Sequence, residues 1–324
     1  MAIINVIRES EAQGVDRQRV CELLQIEERR VRRWLGLGDL ADGKPGPVHA
    51  SHALLPEERE AILEMARSEE YADDSHRILA AKGVDAGCFA ASASSVYRVM
   101  RSAAMTMDRS GRAGRTGRSR KPDRPELTRP NQRWCWDISY LRTLVGGMFL
   151  YLYVLMDEYS RKVVAFRLSW SLKHQEGMEL IEEGLEKEAL TKEQVEVLSL
   201  YNDRGVQMKA KPFMRMLEGL GISQRFSRPR TPNDNPFIES LFSTTKGEPE
   251  YPGEFPDVDF AYAYFTPYFD YYNNDRFHGK IGYVTPVQRH TGADREILAL
   301  RKQRCAQARL ERLERNRALS AMAA

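Results

Sequence analysis

Three strand-like runs in the middle of the chain decide its fold. The first reads Trp134-Cys-Trp-Asp-Ile-Ser-Tyr-Leu-Arg142, and apolar or alternating runs follow it at residues 148–156 and 162–169. Only short breaks separate the runs, at residues 146–147 and 159–161. Connections of this length join antiparallel strands, because a parallel pair needs a much longer crossover. The sequence therefore predicts an antiparallel meander of three strands.

Helices and strands alternate after this meander. The apolar pattern predicts helices at residues 173–189 and 210–220, strands at residues 195–202 and 222–227, and another helix after Asn235. This order fits a mixed sheet of five strands with helices packed against it. The first strand is expected to lie in the centre of this α/β sheet.

Three carboxylates occupy positions in this sheet where chemistry is favoured. Asp137 lies inside the first strand, among apolar neighbours, where a charge is costly without a partner. Asp203 ends a later strand, and strand ends are where ligand sites form in such sheets. Glu239 follows Asn235, the predicted N-cap of a helix, and Pro236, its predicted first residue. Asp137 and Asp203 are expected on adjacent strands, with Glu239 brought over by the helix.

Carboxylates that converge in this way repel one another unless cations lie between them. Mg²⁺ favours carboxylate and water oxygens, and two ions roughly 4 Å apart can activate an attacking oxygen and stabilise the leaving oxygen of a phosphodiester. Asp137, Asp203 and Glu239 are therefore predicted to be catalytic residues and ligands of two Mg²⁺ or Mn²⁺ ions. Asp157 is interpreted differently: turn capping or pairing with an arginine explains it.

A helix-turn-helix unit is predicted at residues 1–36. Its second helix is expected to place Val20, Leu23 and Leu24 in the core, and arginines surround the apolar positions of its third helix. These arginines either contact DNA or form a solvated basic face. DNA contact is favoured, because an arginine-rich helix after a tight turn is typical of such units. The predicted contacts are Arg29, Arg30 and Arg33.

A second helix-turn-helix unit is predicted at residues 55–105. It follows a linker at residues 37–54 that is rich in glycine and proline. Asp73 or Asp74 is expected to cap the middle helix of this unit. Arg98, on its last helix, is predicted to contact DNA.

A basic segment connects this unit to the sheet, and residues 106–130 are predicted to form a flexible linker. Between residues 101 and 133, ten basic side chains oppose three acidic ones, and few residues are apolar. Such a segment cannot bury a core, whereas it would gain affinity for DNA by displacing counterions from phosphates. DNA contact is favoured over an inert linker, with Arg112, Arg115 and Arg118 as the predicted contacts.

A charged helix is predicted at residues 292–324, after the sheet-containing region at residues 131–291. Its apolar periodicity is imperfect. The helix could pack on the body of the protein, pair with another subunit or contact DNA, and the sequence does not decide among the three.

Composition restricts the class of protein. The chain has 324 residues, a net charge of +3 and four cysteines, none at the Cys-x-x-Cys spacing of a zinc module. Unpaired cysteines fit a reducing cytoplasm. Every apolar run is shorter than the roughly 18 residues that a membrane span needs. The protein is therefore expected in the cytoplasm, associated with the nucleoid and not with a membrane.

Residues 131–291 resemble the integrase catalytic core of insertion-sequence transposases, which are relatives of retroviral integrases. Several blocks carry the resemblance together. They are Trp134-x-x-Asp137-Ile-Ser139; Asp157-Glu-Tyr-Ser160-Arg161-Lys162; Asn202-Asp203-Arg-Gly205-Val-Gln207; Ser227-Arg-Pro229-x-x-Pro232-x-Asp234-Asn235-x-x-x-Glu239-Ser240; Phe242-Ser-Thr-Thr-Lys246; and Tyr272-Asn273-Asn-x-Arg276-x-His278-Gly-x-x-Gly282-Tyr-x-x-Pro286. The resemblance implies a ribonuclease-H-like fold.

The resemblance also implies roles for individual residues. Asp137, Asp203 and Glu239 would be the metal ligands, and Lys246 would hold the end of the mobile element. Water would attack DNA first, and the freed 3′-hydroxyl would then attack a second phosphodiester without a covalent enzyme intermediate. Apart from the resemblance, Arg228, in the loop before the catalytic helix, either contacts DNA phosphates or is a solvated loop residue. Gly247 and Pro249 depart from the family pattern and predict that the helix ends near Lys246.

The favoured hypothesis is an Asp-Asp-Glu DNA transposase. Its helix-turn-helix units would bind the terminal repeats of an element, and its core would cleave and transfer strands of double-stranded DNA. Bringing two ends together implies a homo-oligomer on DNA. Two alternatives remain: a non-catalytic DNA-binding protein derived from a transposase, and a Mg²⁺-dependent nuclease without strand transfer.

Overall fold

The computed structural model describes residues 2–37, 50–105, 125–226 and 235–322. The chain divides into two compact units, one of residues 1–53 with 314–324 and the other of residues 54–313. None of the helices within the described residues combines the length and the apolar character that a membrane span requires.

The first unit contains three short helices, α1 (Ala2–Ala12), α2 (Arg17–Leu23) and α3 (Glu28–Leu37). The all-helical prediction for this region is confirmed. The prediction for α2 was wrong at two positions, since Leu23 is 73% exposed and Leu24 is 39% exposed. A helix of only two turns offers one narrow buried stripe. Its core residues are Val20 and Cys21.

The second unit begins with three more helices, α4 (Pro56–Arg67), α5 (His76–Ala86) and α6 (Ala93–Ser102). Ser75 caps α5, its hydroxyl accepting a hydrogen bond from the Ile78 N–H at 3.4 Å. The predicted caps, Asp73 and Asp74, were therefore wrong. Asp74 instead forms an ion pair with Lys82 at 2.8 Å, later in the same helix.

A mixed sheet of five strands follows, as predicted, in the order β3-β2-β1-β4-β5. The first three strands pair antiparallel, while β4 and β5 run parallel to β1. The first strand lies in the centre, with β4 beside it, which confirms the expected arrangement. The strands are β1 (Arg133–Arg142), β2 (Phe149–Asp157), β3 (Val163–Ser169), β4 (Ser199–Asn202) and β5 (Ser223–Phe226).

The strand predicted at residues 195–202 was wrong in its first half. A short helix, α8 (Lys192–Glu196), precedes the four residues of β4. Thr191 and Gln194 form a reciprocal capping box, in which the Thr191 hydroxyl accepts the Gln194 N–H at 3.4 Å and the Gln194 side chain accepts the Thr191 N–H at 2.9 Å. This local pairing satisfies the first helical N–H groups, and it outweighs the strand preference of the nearby valines.

Helices cover both faces of the sheet. On one face, α7 (His174–Glu188) and α9 (Lys211–Leu220) pack on Trp134 and Trp136 of β1. On the other face, α10 (Pro236–Thr245) and α11 (Val258–Asn274) pack around Cys135. Alternate residues of a strand point to opposite faces, so Asp137 belongs to the α10 face.

Two helices complete the chain, α12 (Pro286–Thr291) and α13 (Asp294–Met322). Arginines of α13 bind the three-helix cluster: Arg301 pairs with Asp85 at 2.6 Å, and Arg312 pairs with Glu58 at 2.6 Å. Arg304 donates to the main-chain oxygen of Val84 at 2.6 Å. Within the second unit, α13 therefore packs on the body of the protein, the first of the three alternatives that the sequence left open.

Candidate active site

Asp137 lies in the middle of β1, opposite Val154 of β2. Its side chain is half-buried. One of its carboxylate oxygens, Oδ1, accepts a hydrogen bond from the N–H of the next residue, Ile138, at 2.8 Å. The central strand thus places a carboxylate on the α10 face of the sheet.

Asp203 directly follows the last residue of β4 and is exposed. Its Oδ1 accepts the Gly205 N–H at 2.8 Å. A Cβ at Gly205 would lie 3.0 Å from this oxygen, so the close approach of the turn favours glycine there. Limited space therefore explains the glycine at position 205.

Two amide side chains hold the backbone of Asp203 in place. The buried Asn202 donates from its amide to the Asp203 carbonyl at 2.7 Å. Gln224, on β5, donates to the Asn202 side-chain oxygen at 3.2 Å and to the Met208 carbonyl at 2.8 Å. Gln224 could not be recognised from the sequence, because Asn202 and Met208 lie on other elements and no local pattern links them to Gln224.

Glu239 lies in the first turn of α10, and its side chain is exposed. Asn235 occupies the N-cap position and Pro236 the first helical position, as predicted. The Asn235 side chain makes no capping hydrogen bond, however, and it is buried. The helix start is therefore defined by Pro236 and by backbone geometry rather than by a polar cap.

The three carboxylates influence one another electrostatically. The pKa of Asp137 is raised well above its ordinary value, to about 7. Burial is the main cause, and the charges of Asp203 and Glu239 raise the pKa further, against the lowering effect of the Ile138 N–H. The fold thus places Asp137 within the electrostatic field of Asp203 and Glu239.

Carboxylates from three elements form a donor set that suits a hard divalent cation. A cation beside Asp137 would also offset the cost of its charge, which burial and two neighbouring acids make unfavourable. The side chains do not form a closed cage: within the described residues, no three His, Cys, Asp or Glu side chains are grouped closely enough to hold a metal ion. The match to a divalent cation therefore lies in the chemistry of the three side chains and not in their spacing in this structure.

Lys246 is the C-cap residue of α10, so the helix ends early, as expected. Lys246 is exposed and borders a small recess with Ser139 and Tyr251. Partial desolvation by burial, and then the neighbouring charge of Arg142, lower the pKa of Lys246. The element after Glu239 therefore presents a cation close to the end of β1.

The predicted DNA contacts in the helical units lie at the surface. Arg29, Arg30 and Arg33 are exposed on α3, and Arg98 is exposed on α6. Arg30 stacks over the Trp34 ring, and Arg98 donates to the Ser94 carbonyl at 3.3 Å. The other candidates, Arg112, Arg115, Arg118 and Arg228, lie outside the described residues.

Most aromatic residues of α11 form core. Phe265, Tyr268, Phe269 and Tyr272 are buried, but Tyr271 is 46% exposed. The His278 ring packs edge-on against Tyr272, with 4.6 Å between ring centroids, so it supports this core.

Comparisons with known proteins point to the same family. Two sequence profiles described as "Integrase core domain" match the chain, one at residues 128–232 and the other at residues 220–286. The InsK protein of insertion sequence element IS150 from Escherichia coli (strain K12) is 30% identical over 163 residues, covering 50% of this chain and 56% of that protein. The transposase for insertion sequence element IS904 from Lactococcus lactis subsp. lactis is also 30% identical over 163 residues, covering 62% of its own length.

These matches span between about half and two thirds of the relatives' own lengths. Among solved structures, the catalytic core domain of BIV integrase is 18% identical and covers 51% of this chain and 97% of that domain, with a TM-score of 0.39. Structural similarity at this TM-score supports no argument about this chain. The sequence matches lie in the sheet-containing region: residues 128–286 match the integrase core domain profiles and are similar to the insertion-sequence proteins named above.

Proposed function

We propose that this protein is a metal-dependent DNA transposase of the Asp-Asp-Glu type, which cleaves DNA at the ends of a mobile element and joins them to a target. The observation that carries the proposal is the place of Asp137 on the central strand of an integrase-type core, where burial and then the charges of Asp203 and Glu239 make its ionised form costly. Mutual repulsion of this kind is the usual reason why an acidic cluster binds cations.

Asp137, Asp203 and Glu239 would hold two Mg²⁺ or Mn²⁺ ions. Bound ions would supply an activated attacking oxygen and stabilise the leaving oxygen of the phosphodiester. The chain's own contribution is positional. Asp137 is fixed in the central strand, and the Asn202–Gln224 pair fixes the backbone of Asp203.

Lys246 would hold the phosphate backbone of the element end, because it is a basic, exposed residue seven positions after Glu239. The exposed arginines of α3 and α6 would bind the terminal repeats, as basic helices of such units do. The cleavage of two ends in one complex would require a homo-oligomer on DNA. Association with nucleoid DNA in the cytoplasm follows from this function.

A cleavage and joining assay tests the proposal. The substrates are labelled duplexes that carry the two ends of the element surrounding the coding gene, incubated with the full chain and Mg²⁺. We expect cleavage at the ends and joining of the freed 3′ ends to a target duplex. Glu239→Gln should abolish both reactions and leave DNA binding within about twofold, since it removes one metal ligand and no DNA contact.

The matched control is Glu182→Gln, which makes the same substitution at an exposed position of α7. This variant should retain cleavage and joining. Cleavage without joining by the wild-type chain would favour the nuclease instead, and specific binding of the ends without cleavage would favour the DNA-binding regulator. Full cleavage by Glu239→Gln would overturn the assignment of Glu239.

A further inference from the structure

The turn between β2 and β3 contains an unusual amount of buried charge. Asp157 and Glu158 are 0% and 2% exposed. The Asp157 carboxylate accepts the Ser160 N–H at 2.7 Å and the Asn131 N–H at 2.9 Å. Asp157 is thereby used in closing the turn, which confirms its interpretation as a structural residue.

Glu158 contacts two arginines, Arg133 and Arg161, that are distant from each other in sequence. Its carboxylate oxygen Oε2 lies 3.4 Å from Nη1 of Arg133, the first residue of β1, and the two side chains are 1% and 8% exposed. Its backbone carbonyl accepts a hydrogen bond from Nη1 of Arg161 at 2.6 Å. We call these three residues, Arg133, Glu158 and Arg161, the arginine bracket.

Each arginine of the bracket covers one aromatic ring. The Arg133 guanidinium carbon lies 4.9 Å from the centre of the Tyr201 ring. That of Arg161 lies 3.3 Å from the centre of the Phe237 ring. Planar guanidinium groups stack on aromatic faces in this way, and a lysine does not reproduce the geometry.

The two rings share a position relative to the acids. Tyr201 precedes Asp203 by two residues at the end of β4, and Phe237 precedes Glu239 by two residues in the first turn of α10. Tyr201 pairs with Cys135 in the register of β1 and β4, so it lies on the face of the sheet that also bears Asp137. Tyr201 and Phe237 both pack against the apolar cluster of that face.

We propose that the arginine bracket positions the site: Arg133 and Arg161, joined through Glu158, hold the rings of Tyr201 and Phe237 and thereby fix where Asp203 and Glu239 stand around Asp137. This inference rests on the proposed function, because it assigns a role toward the metal ions. None of the bracket residues would touch DNA or metal. They are positioning residues that act through two rings.

Mn²⁺ binding to the full chain tests the bracket without any DNA reaction. In a calorimetric titration at 15 °C, Arg161→Ala should bind Mn²⁺ about tenfold more weakly than the wild type, the effect typical of removing a group that orients metal ligands. Phe237→Leu, which keeps an apolar side chain but removes the ring, should cause a similar loss. The double variant should be no weaker than the weaker single variant, because both act through one contact.

Arg167→Ala is the matched control. Arg167 lies on β3, the strand that follows the turn with Arg161, but it pairs with Glu179 and Glu183 of α7, on the opposite face of the sheet. This variant should lose thermal stability and bind Mn²⁺ as the wild type does. Arg161→Lys keeps the charge without the planar group, so it should fold and still show at least threefold weaker binding.

The outcomes separate the bracket from the proposed function. Wild-type Mn²⁺ affinity in both Arg161→Ala and Arg161→Lys would overturn the bracket, and so would an equal loss in Arg167→Ala. If the wild type does not bind Mn²⁺, or if Glu239→Gln binds it equally well, the assignment of the metal ligands is wrong. The proposed role of the bracket is then wrong as well. Both the bracket and the metal-ligand assignment are supported if Mn²⁺ binding is weaker in the Arg161 and Phe237 variants, unchanged in Arg167→Ala and abolished in Glu239→Gln.

Discussion

The two faces of the central sheet differ in the side chains that β1 contributes to them. On the α7 face, β1 contributes Trp134 and Trp136, and the helix approaches so closely that Gly184 has no room for a side chain. On the α10 face, the same strand contributes Arg133 and Asp137, and the Arg133 guanidinium meets an aromatic ring. Both faces have an apolar core, but the α10 face also accommodates the charge of Asp137, at a cost in stability. The comparison shows that charge on β1 lies beside a packed core and does not replace it.

The largest expected effect is at Asp137. The pKa of Asp137 is raised in the folded protein, so below about pH 4 its neutral carboxyl does not reduce the stability of the fold. As the pH rises through about 7, the carboxyl ionises and the folded state loses stability. Asp137→Asn should therefore stabilise the metal-free protein at pH 8, by up to about 4 kcal/mol, and have little effect at pH 4. It should reduce DNA cleavage about 10³-fold or more.

Denaturant unfolding in EDTA at pH 4 and pH 8 measures the change in stability, and the cleavage assay measures the loss of activity. An Asp137→Asn protein that is less stable than the wild type at pH 8 would contradict the view that charge on this face is a cost. Addition of Mg²⁺ should raise the stability of the wild type and leave that of the variant nearly unchanged, because the ions bind the charged acids.

The next effect concerns the packing face. A Cβ added at Gly184 would lie 2.5 Å from Cδ2 of Leu155. Gly184→Ala should therefore destabilise the protein by about 1–3 kcal/mol, the usual cost of overpacking a core. Gly219→Ala, in α9, is the matched control, because nothing lies within 4 Å of its added Cβ. That variant should gain about 0.5–1 kcal/mol from helix propensity. Chemical denaturation measures both, and equal effects at the two glycines would refute the tight approach of α7.

A smaller effect is expected where α7 ends. Glu188 accepts hydrogen bonds from Lys162 at 2.6 Å and from Asn131 at 2.8 Å, and it contacts His290 at 2.7 Å. Burial opposes these contacts, but the hydrogen bonds prevail and lower the pKa of Glu188 to about 2. The stability it contributes is therefore present above about pH 4.5 and is lost as the pH falls toward 2.

Glu188→Gln should destabilise the protein by about 1–2 kcal/mol at pH 7 and flatten the dependence of stability on pH between 4.5 and 2. Thermal unfolding across that range provides the measurement. A variant whose acid sensitivity equals that of the wild type would show that other carboxylates dominate there.

The smallest effect is expected at Lys246. Lys246→Gln should weaken binding of an element-end duplex by a few fold and reduce the slope of log affinity against log salt by about 0.9, as the loss of one phosphate contact does. Lys192→Gln, on the exposed surface of α8, should change neither quantity. Fluorescence anisotropy at several salt concentrations distinguishes the two, and an unchanged slope for Lys246→Gln would remove it from the DNA path.

The antiparallel meander and the position of each acid within its own element could be predicted, because each depends on a local pattern. Alternation marks β1 to β3, and Pro236 marks the start of α10. Errors arose where two local preferences compete: the capping box at Thr191 converts part of a predicted strand into a helix. Side-chain contacts between distant elements could not be predicted. Glu158 meets Arg133 across 25 positions, and nothing in the intervening sequence indicates it.

The arginines of α13 tie the end of the second unit to its beginning. Arg312 pairs with Glu58 across 254 positions. At a synthesis rate of about 5–20 residues per second, roughly 10–50 s separate the emergence of these two residues from the ribosome. The three-helix cluster can form early from its own short-range contacts, but its fastening to α13 is among the last events in making the molecule. A newly made chain therefore passes through a stage in which this helical module is folded yet still unanchored.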